Sequence, residues 1–243
     1  MKYVRKSPIE PPALTDYKDK FAGQPTQLKW DKFKKNTARR DAVRKQLRDD
    51  QRGLCAYCEN IVFAPDESVE HLVPRSAGLM HELDWNNLVL CCLGGERPIS
   101  EDVPDAAVRY DADGSRSCGH AKKGHPCPVV NPRSPLLSRR LFRFSSEDGS
   151  ILCDEASCAA IGLAMDDVET AIVTCGLRAG RLNRARLAVI NALEEMLANG
   201  DAERQIAEDI LPADGYLPAF FTTIRWYLGQ DAEDHLQSIN FAG

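Results

Sequence analysis

Apolar residues in this 243-residue chain fall in short dense runs through the middle and at helical intervals toward the C-terminus. Val69–Pro74 and Leu88–Cys92 are brief runs rich in Val and Leu, which predicts two strands. Leu141-Phe142-Arg143-Phe144 and Ile151-Leu152, split by Asp148-Gly149, predict a hairpin. Farther on the period lengthens. Gly180–Ala198 puts Leu187, Ile190, Leu193 and Leu197 on one face, with Gly200 just beyond, and predicts the clearest helix. Asp166–Thr174, Asp201–Ile210 and Pro218–Leu228 predict three more. Upstream, Trp30–Gly53 predicts a helix on which Ala38, Val43 and Leu47 share a face and Gly53 supplies a stop. Residues 1–28 carry Pro8, Pro11, Pro12 and Pro25, which predicts an extended arm. Residues 93–117 are polar and turn-rich and predict an insertion loop; a short helix follows Cys118, and Pro126, Pro128, Pro132 and Pro135 mark a linker.

Composition is that of a soluble globular protein, 43% hydrophobic and 28% charged. No apolar run reaches membrane-spanning length, and Met1–Lys6 lacks the apolar core of a signal peptide, so a cytoplasmic location is expected. The net charge of −5 conceals an asymmetry, because the surplus of Lys and Arg lies in residues 1–52 and the surplus of acid beyond them. A basic arm on an acidic body predicts a local contact with a polyanion. Lys34, Lys35, Arg39, Arg40 and Arg44 are the candidate nucleic-acid-binding residues, with Trp30 and Phe33 interleaved to pack or stack.

Nine cysteines in a reducing compartment point to metal ligation before disulfides. Cys55 and Cys58 have the two-residue gap that lets two thiolates reach one tetrahedral zinc. A second half is expected from Cys118 with either Cys91 or Cys92, and Cys127, Cys153, Cys158 and Cys175 are expected to be ordinary small apolar residues. Between the halves lie Glu70-His71 and Asn86-Asn87. Phosphodiester hydrolysis needs a base for the attacking water and a cation for the developing charge. A neutral imidazole, His71, suits the first, and Glu70 is a hard oxygen ligand for the second. Adjacent strand residues point to opposite faces, so a strand end or bend must bring the two together.

Cys55-x-x-Cys58, then Glu70-His71 with Pro74 close behind, then Asn87-Leu88 and Cys92, resembles the HNH endonuclease motif on a ββα-metal fold. More narrowly it resembles the HNH proteins of Septu and retron-linked anti-phage systems, the PtuB-like family. Tyr57, Glu59, the Trp85-Asn86-Asn87-Leu88 run and Cys118 followed by Lys122 fit that likeness, which is specific over 55–124. It implies Asn87 over Asn86 as the catalytic-site amide and Cys92 over Cys91 as the zinc ligand. The usual His or Asn after the last zinc cysteine is Gly119 here, which leaves His120 as the nearest second ligand for the catalytic cation and His125 as the next choice. The resemblance also implies an ABC/SMC-like (PtuA-like) ATPase partner, and the nuclease reading carries structural zinc, a catalytic Mg²⁺ or Mn²⁺ and nucleic acid, DNA or tRNA, as substrate. The helical region 160–243 is the candidate docking surface, while Phe220, Phe221, Trp226 and Tyr227 within it are expected first to fill the core.

The expected fold is therefore α+β and mostly helical. It has a basic arm and helix (1–53), a zinc-stapled HNH core with the insertion (54–135), and a hairpin with a helical region (136–243). A zinc-stabilised nucleic-acid-binding or adaptor module without catalysis is the alternative, and a cysteine redox protein is a third class.

Overall fold

A computed structural model describes residues 1–78, 81–96, 109–110, 115–125 and 128–241. The prolines near the start do not keep the chain off the body. Met1 and Val4 are buried, the Val4 amide donates to the Pro132 carbonyl at 2.7 Å, and the Trp85 indole donates to the Ser7 carbonyl at 3.0 Å. Residues 1–10 thus form a belt of irregular backbone tied to the core, not a free arm. Pro12 then opens a helix, α1 (Pro12–Lys20), because proline at the first helical position forfeits only an amide that would have no partner.

The single helix expected over 30–53 is two. A four-residue turn, α2 (Trp30–Phe33), precedes α3 (Thr37–Asp50), and Asn36 between them is extended, its Oδ1 accepting the Arg39 amide at 3.0 Å. That kink changes the buried face. Val43 and Leu47 are buried, but Ala38 is exposed and Trp30 and Phe33 are core residues.

β1 (Ser68–His71) pairs antiparallel with β2 (Leu88–Cys91), setting Glu70 opposite Val89 and His71 opposite Leu88. Much of the expected insertion lies outside the described residues, as do Pro126 and Cys127. The chain returns at α4 (Cys118–Lys122), followed by the hairpin of β3 (Phe142–Phe144) and β4 (Ile151–Cys153). α5 (Glu155–Ala160), capped by Asp154, was too short to register as a period. Then come α6 (Met165–Thr174), α7 (Gly180–Ala198), α8 (Glu203–Ile210), α9 (Phe221–Tyr227) and α10 (Gly229–Ser238). Sequence reading missed α10 because it begins on Gly229, which ends the preceding helix at φ +56°.

The architecture is α+β, helix-rich, with two small sheets among the described residues. One apolar cluster runs from Met1 to Phe220 and joins all three expected segments; a second gathers α8, α9 and α10 around Leu54 and Leu193. Phe220 and Phe221 are buried, and Trp226 meets Phe144 edge-on at 5.7 Å. Trp226 and Tyr227 are partly buried against the same core, so these aromatics pack inward, the role expected of them ahead of docking. No helix among the described residues is long and apolar enough to cross a membrane.

Candidate metal and hydrolytic centre

The cysteine cluster is built by three separate elements. After α3, Gly53 at φ +82° turns the chain, and an isolated bridge between Leu54 and Ile61 closes a knuckle carrying Cys55 and Cys58. Cys92 lies just past β2, and Cys118 opens α4. The four Sγ atoms lie within 4.8 Å of one another, with the 55–118, 58–92 and 92–118 pairs at 3.6, 3.7 and 3.7 Å. A tetrahedron of four zinc–sulfur bonds has edges of about 3.8 Å, so the cluster has the size zinc needs. Burial and the neighbouring sulfurs push the Cys118 thiol well up, so four thiolates coexist here only around a cation.

Cys92, not Cys91, completes the set. Strand alternation turns Cys91 to the other face, where its sulfur lies 3.4 Å from Ser68 Oγ. Charge supports the same assignment. A zinc tetrathiolate carries a net charge of about −2. Arg186 of α7 is buried, forms no ion pair with a carboxylate among the described residues, and bonds Asn183 Oδ1 at 3.1 Å. Burial lowers its pKa to about 10, while Cys58, Glu59 and Cys118 act in the opposite direction. A dianionic cluster accounts for a guanidinium kept at such a place.

Backing onto the clasp is a cleft of about 340 Å³ lined by Glu70, His71, Pro74, Arg75, Ser76, Gly119, Lys123 and Gly124. β1 ends at His71 and the chain bends through Leu72 and Val73, so the adjacent acid and imidazole both reach one cavity. His71 is buried. Its Nε2 lies 2.9 Å from the Glu82 carbonyl, which can only accept, so Nε2 carries the proton and Nδ1 is the ring's basic nitrogen. Trp30 contacts the ring edge-on at 5.7 Å, and the Glu82 carboxylate accepts the Trp30 amide at 2.9 Å. α2 therefore braces the imidazole, and Trp30 and Phe33 are not free to stack on bases. Burial lowers the His71 pKa, which keeps the ring neutral near pH 7.

The Asn87 side chain makes its hydrogen bonds to backbone, not to the imidazole. Its Oδ1 accepts the Val73 amide at 2.7 Å, and its Nδ2 donates to the carbonyls of Val73 at 3.0 Å and His81 at 2.8 Å. It ties down both ends of the loop that follows His71. Glu70 is pushed up by burial, against which Lys122, fully buried, sets an ammonium 3.0 Å from Oε1. A Cβ on Gly119 would meet Glu70 Oε2 at 2.8 Å and the Cys91 sulfur at 3.1 Å, so the bare glycine is what admits the carboxylate.

His120 is not among the cleft residues; its Nδ1 pairs with Glu96 Oε2 at 2.7 Å. His125 is exposed and does not line the cleft either. Among the described residues that line the cleft, Glu70 is the one carboxylate and His71 the one imidazole, so a catalytic cation would rest on Glu70 with His71 left as the base. That fits Mg²⁺, which takes one or two carboxylates and fills its shell with water and substrate phosphate.

The basic residues named from sequence are largely engaged. Arg39 lies over the Tyr17 and Phe33 rings, Arg40 and Arg44 pair with Asp41, and Lys34 pairs with Asp31. Lys35 is exposed. Arg75 and Lys123, which no sequence signal singled out, are the cations of the cleft rim.

No family model matches the chain. A protein of Escherichia coli provisionally named the Retron Ec83 HNH endonuclease is 27% identical over 187 residues, 68% of this chain and 72% of that protein. The likeness supports a place in the HNH family and a nuclease function.

Proposed function

We propose that this chain is a metal-dependent HNH endonuclease that hydrolyses phosphodiester bonds of nucleic acid. The observation that carries the reading is the convergence of Glu70 and a neutral, braced His71 in one open cleft, backed by a four-cysteine cluster of zinc dimensions. β1, β2 and α4 are read as the ββα-metal core. His71 takes the proton of the attacking water at Nδ1, the nitrogen left basic by the Glu82 carbonyl. Asn87 positions His71 by clamping the loop behind it. Glu70 would hold Mg²⁺ or Mn²⁺, which supplies electrostatic stabilisation of the charge that develops at the phosphate. His120, the expected second ligand, would have to leave Glu96 to contribute. Zinc on Cys55, Cys58, Cys92 and Cys118 is the staple.

In its finer form the proposal places the chain with the PtuB-like nucleases of Septu and retron-linked defence, working in the cytoplasm with a PtuA-like ATPase. The resemblance over 55–124 and the retron name of the relative support this. A second reading, a zinc-stapled binding or adaptor module without catalysis, is favoured by the buried Lys122 that already occupies one lobe of Glu70 and by the missing side chain at position 119.

The test uses purified protein with Mg²⁺ or Mn²⁺, alone and with a co-expressed ATPase, on plasmid DNA, single-stranded DNA and tRNA. Cleavage by wild type and its loss by at least about 10²-fold in His71→Ala, with zinc content and binding retained, is the expected result. Binding without cleavage under every condition would favour the adaptor instead.

A further inference from the structure

The cleft is walled by cations. Its acid, Glu70, is already paired from within by Lys122, so the charged side chains left among the lining residues are Arg75, from the turn after β1, and Lys123, at the end of α4. Arg75 sits in the short 3-10 turn after Pro74, is exposed, and pairs through Nη1 with Asp31 Oδ2 at 2.9 Å. Asp31 is itself exposed and shared with Lys34 at 2.7 Å. Ion pairs this open contribute only about 0–1 kcal/mol, so a phosphate accepting from the guanidinium can displace the aspartate.

Lys123 lines the same cleft and is exposed, with no side-chain hydrogen bond or ion pair to any described residue. It ends α4 at φ +49°, ψ −127°, a backbone shape that glycine takes easily and a side-chain-bearing residue takes at a cost of roughly 1–3 kcal/mol. Strain retained at a cleft wall points to use of the side chain it carries.

We propose that Arg75 and Lys123, one cation from each of two elements, form a clamp that seats one phosphodiester of a nucleic-acid backbone over Glu70 and His71, Asp31 being the acid that Arg75 leaves on binding. The proposal rests on the nuclease reading for what the seated phosphate then undergoes, but it is tested by binding alone.

The probes are fluorescein-labelled 30-mers of single-stranded DNA, duplex DNA and RNA, titrated by anisotropy over a salt series without divalent cation. Arg75→Ala and Lys123→Gly should each weaken binding about 10-fold and lower the slope of log K against log salt by about one. Asp31→Asn should tighten it. Lys123→Gly guards against misfolding, because glycine relieves the strain: its Tm should rise while affinity falls. If cleavage is found, the same variants should raise KM with kcat little changed.

Unaltered affinity and salt slope in the two folded variants would overturn the clamp, as would a loss of affinity that tracks loss of zinc. Failure of the nuclease reading looks different: the wild type would bind, the clamp variants would bind weakly, and no probe would be cut once Mg²⁺ or Mn²⁺ is added.

Discussion

Lys6 shows what one residue in an unexpected place does to the molecule. Its ammonium lies over the Trp85 ring at 3.4 Å and donates to the Trp85 and Leu88 carbonyls, sealing the N-terminal belt against β2. Burial, aided by Arg133, lowers its pKa to about 7. The unfolded chain therefore holds this proton more tightly than the folded one between pH 7 and about 10, and folding gains stability as pH rises through that window. Below pH 7 both states are protonated and the penalty is fully present. Wild type should gain up to about 2 kcal/mol from this lysine between pH 7 and pH 9, at no more than about 1.4 kcal/mol per unit. Lys6→Met should flatten that part of the pH dependence in urea denaturation. Lys2, lowered by burial to about 8, contributes in the same direction in both proteins, so the difference isolates Lys6. Parallel pH profiles would contradict the assignment. Nothing in the sequence around Lys6 distinguishes it from the exposed Arg5; only its packing does.

At the scale of elements, the α2–α3 kink matters most for the site. Asn36 has the residue type and extended backbone of a helix cap and sits where the helical period breaks, so the boundary was readable from the chain. It was missed because apolar and charged residues on both sides fit one continuous amphipathic helix. Asn36→Ala should cost about 1 kcal/mol in chemical denaturation, with zinc content unchanged. A loss much larger than that would mean the kink holds Trp30 on His71 more directly than a cap does. α4 carries the opposite lesson. Cys118 at its first residue was legible from cysteine spacing, but the role of Gly119, making room for Glu70, depends on a strand some fifty residues upstream.

For the whole molecule, the cluster of Cys55, Cys58, Cys92 and Cys118 draws together α3, β2, α4 and, through Arg186, the α7 helix. The knuckle is also wired to the C-terminal helices: Glu59 accepts the Thr222 amide at 2.7 Å, and its carbonyl accepts the Phe220 amide at 2.9 Å. Removing the metal should therefore loosen more than the 55–124 segment. Wild type and Cys91→Ser should both carry stoichiometric zinc and unfold cooperatively, whereas Cys92→Ser should lose the zinc and unfold over a broader range. Equal zinc contents in the two variants, by metal analysis, would refute the four-sulfur set described above.

Local chemistry was legible without coordinates. The Cys55 and Cys58 pair, the adjacent acid and imidazole, and helices α6 and α7 follow from residue type and short-range spacing, because a two-residue ligand gap and an amphipathic period are properties of neighbours in the chain; the choice of Cys92 over Cys91 came from the resemblance alone. What tertiary structure decided was the direction and pairing of charged side chains. It buried Lys122 beside Glu70, drew His120 away to Glu96, engaged Arg39, Arg40 and Arg44 on their own fold, and left Arg75 and Lys123 facing the cleft. A charge finds its partner by distance in space and by the dielectric around it, and neither is written in the order of residues.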